Sequence, residues 1–304
     1  MTTLNRTSAH INAFGTMDIT SAKSVEEALT MANLDWEVEK RPIFDANGKQ
    51  IDKWMTTNRS DSGDVLGMVG KNYVPVQNAE AFNFVNDLPD EGDFKFESVG
   101  TFKNGNGIWL MGQLPKENIL GDDVTNNIVF INSHDGSSGV KVLMTPTRVI
   151  CSNMLNLAMR KAQRQWSARH TKKIDIRMKE AQKTLGLAGE YMRALSEEAE
   201  RLADAKVDVA TLESIFDAMF PVKPDATERQ IRNISTLKDN YFRCLNEDDI
   251  KKFVGTKWAA INAMADLVDH SEPMRLTQNY YNNAWVRQIN GHPVLDNFYS
   301  RLQA

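Results

Sequence analysis

The sequence predicts an α+β fold: an N-terminal antiparallel β-meander with hairpins and a short helix, followed by a long helix and a C-terminal helical bundle. Three observations carry that expectation. Before Pro146, short runs alternate apolar and polar residues with a period of about two. Asn-Gly and Asp-Gly reversals separate those runs. After Pro146 the apolar period lengthens to about 3.6 and stays there to the end of the chain.

Each element follows in order. WEVEKRPIF (36–44) is rich in β-branched and aromatic residues, Asn47-Gly48 reverses the chain, and IDKWMTTNR followed by VLGMVG completes a meander. Asn78 reads as an N-cap before a helix that places Ala81, Phe82, Val85 and Leu88 on one side. Two hairpins come next, FKFESVGTF against IWLMGQLP around KNGNG, and NNIVFINSH against GVKVLMT around DGSSG. The segment 148–164, projected as a helix, gathers Ile150, Cys151, Met154, Leu155 and Ala158 on one arc. Its other arc carries Ser152, Asn153, Asn156, Arg160, Gln163 and Arg164.

From Ile174 to Leu202 apolar or small residues recur at alternating intervals of four and three, an unbroken heptad seam. Its flanking positions hold no charge code, so the pattern favours a long helix packed within its own bundle over an intermolecular coiled coil. Helices are expected at about 209–219, 226–245 and 256–269, the last turning Trp258, Ile261, Ala265 and Val268 inward, before an aromatic tail with Tyr280, Tyr281, Trp285, Phe298 and Tyr299. The expected division is an α+β core over 1–171 and a helical domain over 172–304, led by the heptad helix 172–205.

Charge is unevenly distributed. The 304 residues carry a net −4, which argues against a polyanionic partner. Between Arg148 and Lys183, however, ten basic residues face only Asp175 and Glu180, a net +8 that leaves −12 on the other 268 residues. Basic groups spaced along a helix and the following strand can neutralise successive phosphates, and an interleaved aromatic can stack on an unpaired base. On this reading Lys141, Arg148, Arg160, Lys161, Arg164, Arg169, Lys172 and Lys173 contact phosphates and Trp166 stacks. The bland alternative is a solvated face whose long stems cover apolar surface, with Trp166 as a core anchor.

Catalytic signals are weak. His10, His134, His170, His270 and His292 have no metal-ligand spacing, and the two cysteines, Cys151 and Cys244, can build neither a paired-cysteine zinc site nor a disulfide scaffold. NSHDGSSG (132–139) reads as a hairpin loop rather than a triad, and VLGMVGK lacks phosphate-loop spacing. No cofactor, metal or enzymatic activity is expected. Neither a signal peptide nor a membrane span is legible, so the expected place is the cytoplasm.

Several strings coincide with a known pattern. LDWEVEKRPIF (34–44), RSDSGDVLGMVGKNYVPVQNAEAF (59–82), INSHDGSSGVKVLMTPTRVICSNMLNLAMR (131–160) and SARHT (167–171) resemble the phage/plasmid-like proteins of the DUF932 domain family over roughly residues 10–205. Where that family carries Trp-His-Gly-Leu-Gly near its start, this chain has INAFGT (11–16). The resemblance implies a bacteriophage or plasmid origin and action in a bacterial host cytoplasm. A meander and hairpin followed by a basic helix is also similar in topology and charge to Rad52-type single-strand annealing proteins. The leading expectation is therefore a non-enzymatic single-stranded DNA-binding or annealing protein of recombination or replication that forms a homo-oligomer. The competing one is an interaction protein that binds or inhibits a host component through its aromatic tail.

Overall fold

The computed structural model describes residues 16–83, 85, 94–102, 105–148, 165–172, 174–271 and 275–304. It is α+β, as the sequence predicts. Strand β1 (Met17–Asp18) leads to helix α1 (Val25–Met31), capped by the Ser24 hydroxyl, which accepts from the Glu27 N–H. Strands β2 (Val38–Phe44), β3 (Gln50–Arg59) and β4 (Val65–Gly70) form a three-stranded antiparallel sheet. Its β2–β3 turn contains Gly48 at φ 78°, as the Asn47-Gly48 signal requires. This wing leaves Phe44, Trp54, Val65 and Met68 exposed to solvent.

Helix α2 (Asn78–Phe82) buries Ala81 and Phe82, and Val85 follows them into the core. Its N-cap is Gln77, not Asn78 as the sequence suggests; Gln77 and Glu80 satisfy each other's backbone groups as a capping box. Asn78 is free to serve elsewhere.

The larger sheet is built from β5 (Lys95–Phe102), β6 (Gly107–Gln113), β7 (Glu117–Ile119), β8 (Asp122–Ser133), β9 (Val140–Arg148) and β10 (Gln165–Ala168), with β1. Its order is β1-β5-β6-β8-β9-β10, with β7 also pairing with β8. Both predicted hairpins are present, in the register Gly100↔Trp109 for β5 on β6 and Phe130↔Val142 for β8 on β9, and β6 pairs in turn with β8 through Trp109↔Ile131. Strand β9 runs on through Pro146 to Arg148, past the point where helical periodicity was expected to begin. Proline fits there because, among the described residues, β10 pairs only with Val140–Leu143 and no strand lies on that side of Pro146 to need its N–H. Arg148 consequently ends a strand rather than opening a helix; residues 149–164 of the expected helix, with Cys151, lie outside the described residues, as do Leu88 and most of INAFGT.

Both faces of the sheet are covered. On one, Phe96, Leu110, Ile128, Phe130 and Val142 pack with Val25 and Leu29 of α1 and Phe82 of α2. On the other, Trp109, Met111, Val129 and Leu143 pack with Trp285 and Ile289, and the indoles of Trp109 and Trp285 meet edge to face at 5.2 Å.

Helix α3 (Ile174–Asp204) fulfils the heptad expectation as one continuous element. From Ala188 onward its seam residues Met192, Leu195, Ala199 and Leu202 are buried within the chain's own helical core, which leaves that half of the seam no face for a second coil. Helices α4 (Val209–Met219), α5 (Glu228–Cys244), α6 (Lys257–His270), α7 (Tyr280–Asn290) and α8 (Pro293–Gln303) complete the fold. Asp208, Thr227 and Thr256 cap α4, α5 and α6. Helix α6 is buried nearly all round, with Trp258 and Met264 at the centre of a core that includes Phe216, Tyr241 and Phe298 and reaches back to Ile119 and Val124 of the sheet. No described helix is long and apolar enough to cross a membrane.

Candidate functional site

The β8–β9 loop is where separate stretches of the chain converge. Asp135 organises it: its Oδ1 accepts from Ser133 Oγ at 2.6 Å, Ser137 Oγ at 2.5 Å and Ser137 N–H at 2.9 Å, while Gly136 takes φ 75°. The wing presses directly on this loop. A side chain at Gly67 would fall on Asp135, whose Cβ lies 2.8 Å from the position it would take, and Thr57 Oγ1 donates to the His134 carbonyl at 2.7 Å. Tyr73 OH donates to the Ser133 carbonyl at 3.0 Å. On the far side, any Cβ at Gly139 would collide with the Ala168 carbonyl oxygen, so only glycine lets β10 lie this close.

Beneath the loop lies a buried polar layer. Asn78 Nδ2 donates to the Leu34 carbonyl at 2.7 Å, which turns its Oδ1 toward His134 Nε2 at 2.8 Å. That oxygen can only accept, so Nε2 carries the imidazole proton. His134 also meets the Trp36 ring edge to face at 5.4 Å, and His170 stacks on Tyr73 at 4.8 Å. Burial pushes His134 down to about 3, with His170 nearby adding to the effect, and burial pushes His170 down to about 4. Burial likewise raises the Tyr73 hydroxyl. The layer is therefore neutral at physiological pH. It serves as scaffold, since neither imidazole can carry charge to the surface there.

Above that layer opens a cleft of about 570 Å3, lined by Tyr73, the Gly136–Gly139 loop, Lys141 and Ser167–Thr171. Ser167 and Lys141 are direct cross-strand partners, which places their side chains on one face of the sheet. Lys141 Nζ lies 3.4 Å from Asn290 Oδ1 at the end of α7. Arg169 and the adjoining Lys172 are exposed, and neither side chain has a hydrogen bond or ion pair among the described residues. No carboxylate lines the cleft among those residues. Hydroxyls of Ser138 and Thr171 face the same opening. A floor of main chain and hydroxyl-bearing residues beside the cations of Lys141 and Arg169 suits a phosphate or a chain of phosphates.

Of the residues expected to bind phosphates, the structure brings Lys141 and Arg169 to the lining of this cleft, and the exposed Lys172 directly follows the lining residue Thr171. Arg148 sits seven residues along β9 from Lys141, about 23 Å away, and does not share it. Arg160, Lys161, Arg164 and Lys173 lie outside the described residues. Trp166 is corrected: it is only 9% exposed and packs in the core with Val142 and Phe96, so it anchors β10 and offers no stacking face. Alternation explains the error, because in a four-residue strand the residues on either side of an exposed Ser167 must turn inward. Tyr73 and Thr171 are additions that charge counting could not find; the signal available was that both sit in the strings shared with the family. Among the described residues no group of His, Cys, Asp and Glu could hold a metal ion.

These features define an α+β protein with a cation-rimmed cleft at the junction of a wing, a hairpin loop and a short edge strand. The family model for DUF932, a domain of unknown function, matches residues 65–287, and the chain belongs to that family. The match begins at β4 and runs through α7, so the family unit includes the helical half and extends well beyond residue 205. No curated protein and no solved structure matches the chain.

Proposed function

We propose that this protein binds single-stranded nucleic acid through its phosphate backbone along the cleft at Lys141, Arg169 and Lys172, without catalysing a reaction, as a phage-type DNA-binding or annealing protein would. One observation carries the reading: three strings far apart in sequence, 57–73, 132–141 and 167–172, fold together into a cleft whose rim is basic in a chain of net charge −4. The Arg148–Lys183 segment supplies further cations on either side in sequence. The rival expectation, a partner-binding surface on the bundle and aromatic tail, would have to use the half-buried Tyr280, Tyr281 and Tyr299, since Trp285 and Phe298 are fully buried.

Fluorescence anisotropy of a labelled oligonucleotide across a salt series tests the proposal. Three phosphate contacts on a single strand should give a slope of log K against log salt of about −2 from this cleft alone. The double variant R169E/K172E should weaken binding at least about tenfold and flatten that slope. Unchanged affinity in the double variant, or no binding at low salt, rejects the reading.

A further inference from the structure

A second cationic cleft, with a lining distinct from the first, lies between α5 and α7. It encloses about 760 Å3, within the range of small-ligand sites and between helices of a bundle, where such sites commonly form. Three arginines from three different elements converge on it: Arg229 from α5, Arg275 from the segment before α7, and Arg287 from α7. None of the three guanidiniums has a hydrogen bond or ion pair among the described residues, and no carboxylate lines the cleft among them. Three exposed guanidiniums around one concavity set up a positive field that favours an anion between them, at little cost to the fold while water screens them.

The same cleft has an apolar lining. Phe220, Leu237, Leu267 and Val268 line it, and the Tyr280 ring is fixed there because its hydroxyl donates to the Ser271 carbonyl at 3.0 Å. The Ser271 hydroxyl itself is buried and has no hydrogen-bond partner among the described residues. Asn233, one turn beyond Arg229, adds an amide to the lining. At the mouth, His292 caps α8, its Nδ1 accepting from the Val294 N–H at 3.3 Å. Burial and the charge of Arg287 together hold His292 below its ordinary range, so the arginine's field is felt inside the cleft. The first four turns of α5 are largely exposed, with only Tyr241 and Cys244 of the whole helix buried, so the α5 wall can adjust to an occupant.

We propose that this cleft binds a small organic phosphate of mononucleotide size, with Arg229, Arg275 and Arg287 on the phosphate and the Phe220, Leu237 and Tyr280 wall against the base. Guanidiniums match phosphate geometry through paired N–H donors, and a planar apolar body accounts for the wall that a bare ion would leave unused. The site does not depend on the nucleic-acid reading of the first cleft.

Isothermal calorimetry of the full chain with AMP, ATP, inorganic phosphate and a short single-stranded oligonucleotide tests it. AMP or ATP should bind saturably, at least about tenfold more tightly than inorganic phosphate, and R275Q/R287Q should lose that binding by about tenfold or more while its circular dichroism and melting temperature stay unchanged. R169E/K172E should retain AMP binding while losing the oligonucleotide, which separates failure of one cleft from failure of the other. Absence of binding by both nucleotides overturns the proposal. So does binding that survives R275Q/R287Q, or inorganic phosphate binding as well as AMP. Oligonucleotide binding that is abolished by R275Q/R287Q and competes with AMP would assign the cleft to the strand instead.

Discussion

The two basic clefts are made in different ways. The one beside the β8–β9 loop takes its shape from main chain: Asp135 fixes the turn, Gly67 and Gly139 allow contacts that no side chain would permit, and two uncharged imidazoles fill the space below. The one between α5 and α7 takes its shape from long side chains on helices whose facing turns are mostly open to solvent. The first is a rigid mould with cations at its edge, suited to a ligand that continues past it in both directions. The second is adaptable and lined by both cations and apolar side chains, suited to a compact ligand with an anionic and an apolar part. Rigidity and sensitivity go together here, since whatever disturbs the backbone of the first cleft disturbs the fold, whereas the second can lose its charges at little structural cost.

Acid should expose that contrast most strongly. His134 and His170 are neutral in the folded protein down to about 3 and about 4, whereas the unfolded chain protonates both near 6.5. Their contribution to stability is complete above pH 6.5 and falls away as the pH drops toward the folded values, by roughly 1.4 kcal/mol per pH unit for each histidine. Urea denaturation at a series of pH values between 7 and 4 should show this steep loss, and His170→Phe should remove about half of the slope while preserving the stack on Tyr73. A flat profile would mean that the polar layer is hydrated and the mould softer than described.

Next in size, Gly139→Ala should cost about 3 kcal/mol or more, because β10 must separate from β9 to admit the methyl group. The matched control, Gly189→Ala in α3, meets open space and should stabilise by about 0.5–1 kcal/mol. Smaller again is the effect of R169E/K172E, an approximately tenfold loss of oligonucleotide affinity, about 1.4 kcal/mol, with folding unaffected. The smallest is Arg287→Gln, which should shift the unfolding midpoint by less than about 0.5 kcal/mol; a larger loss would show that the second cleft is also part of the scaffold.

Much of this fold is legible in the sequence. Hairpins are local: Asn47-Gly48 and Asp135-Gly136 pin their turns, and the flanking alternation sets the register. Helices α4, α5 and α6 fall within two residues of where the apolar period places them, and the structure adds their caps, Asp208, Thr227 and Thr256. The first cleft is half legible, since the charge excess points to Arg169 and Lys172 while the choice of face for Trp166 depends on which side of a four-residue strand finds a core. Arg229, Arg275 and Arg287 show nothing in sequence. They are isolated basic residues on separate segments, and only the packing of α5 against the end of α6 and α7 brings them around one space.

One consequence of the sheet's second face concerns how the protein is made. Trp109, Val129 and Leu143 find their cover in Trp285 and Ile289, residues that leave the ribosome well over a hundred positions after Leu143. Until then a nascent chain carries a nearly complete sheet with one greasy side bare, a surface that invites aggregation or a chaperone. Truncation before α7 should therefore yield insoluble protein even though every strand is intact. The sheet cannot be obtained as a separate module by cutting the chain at the end of β10.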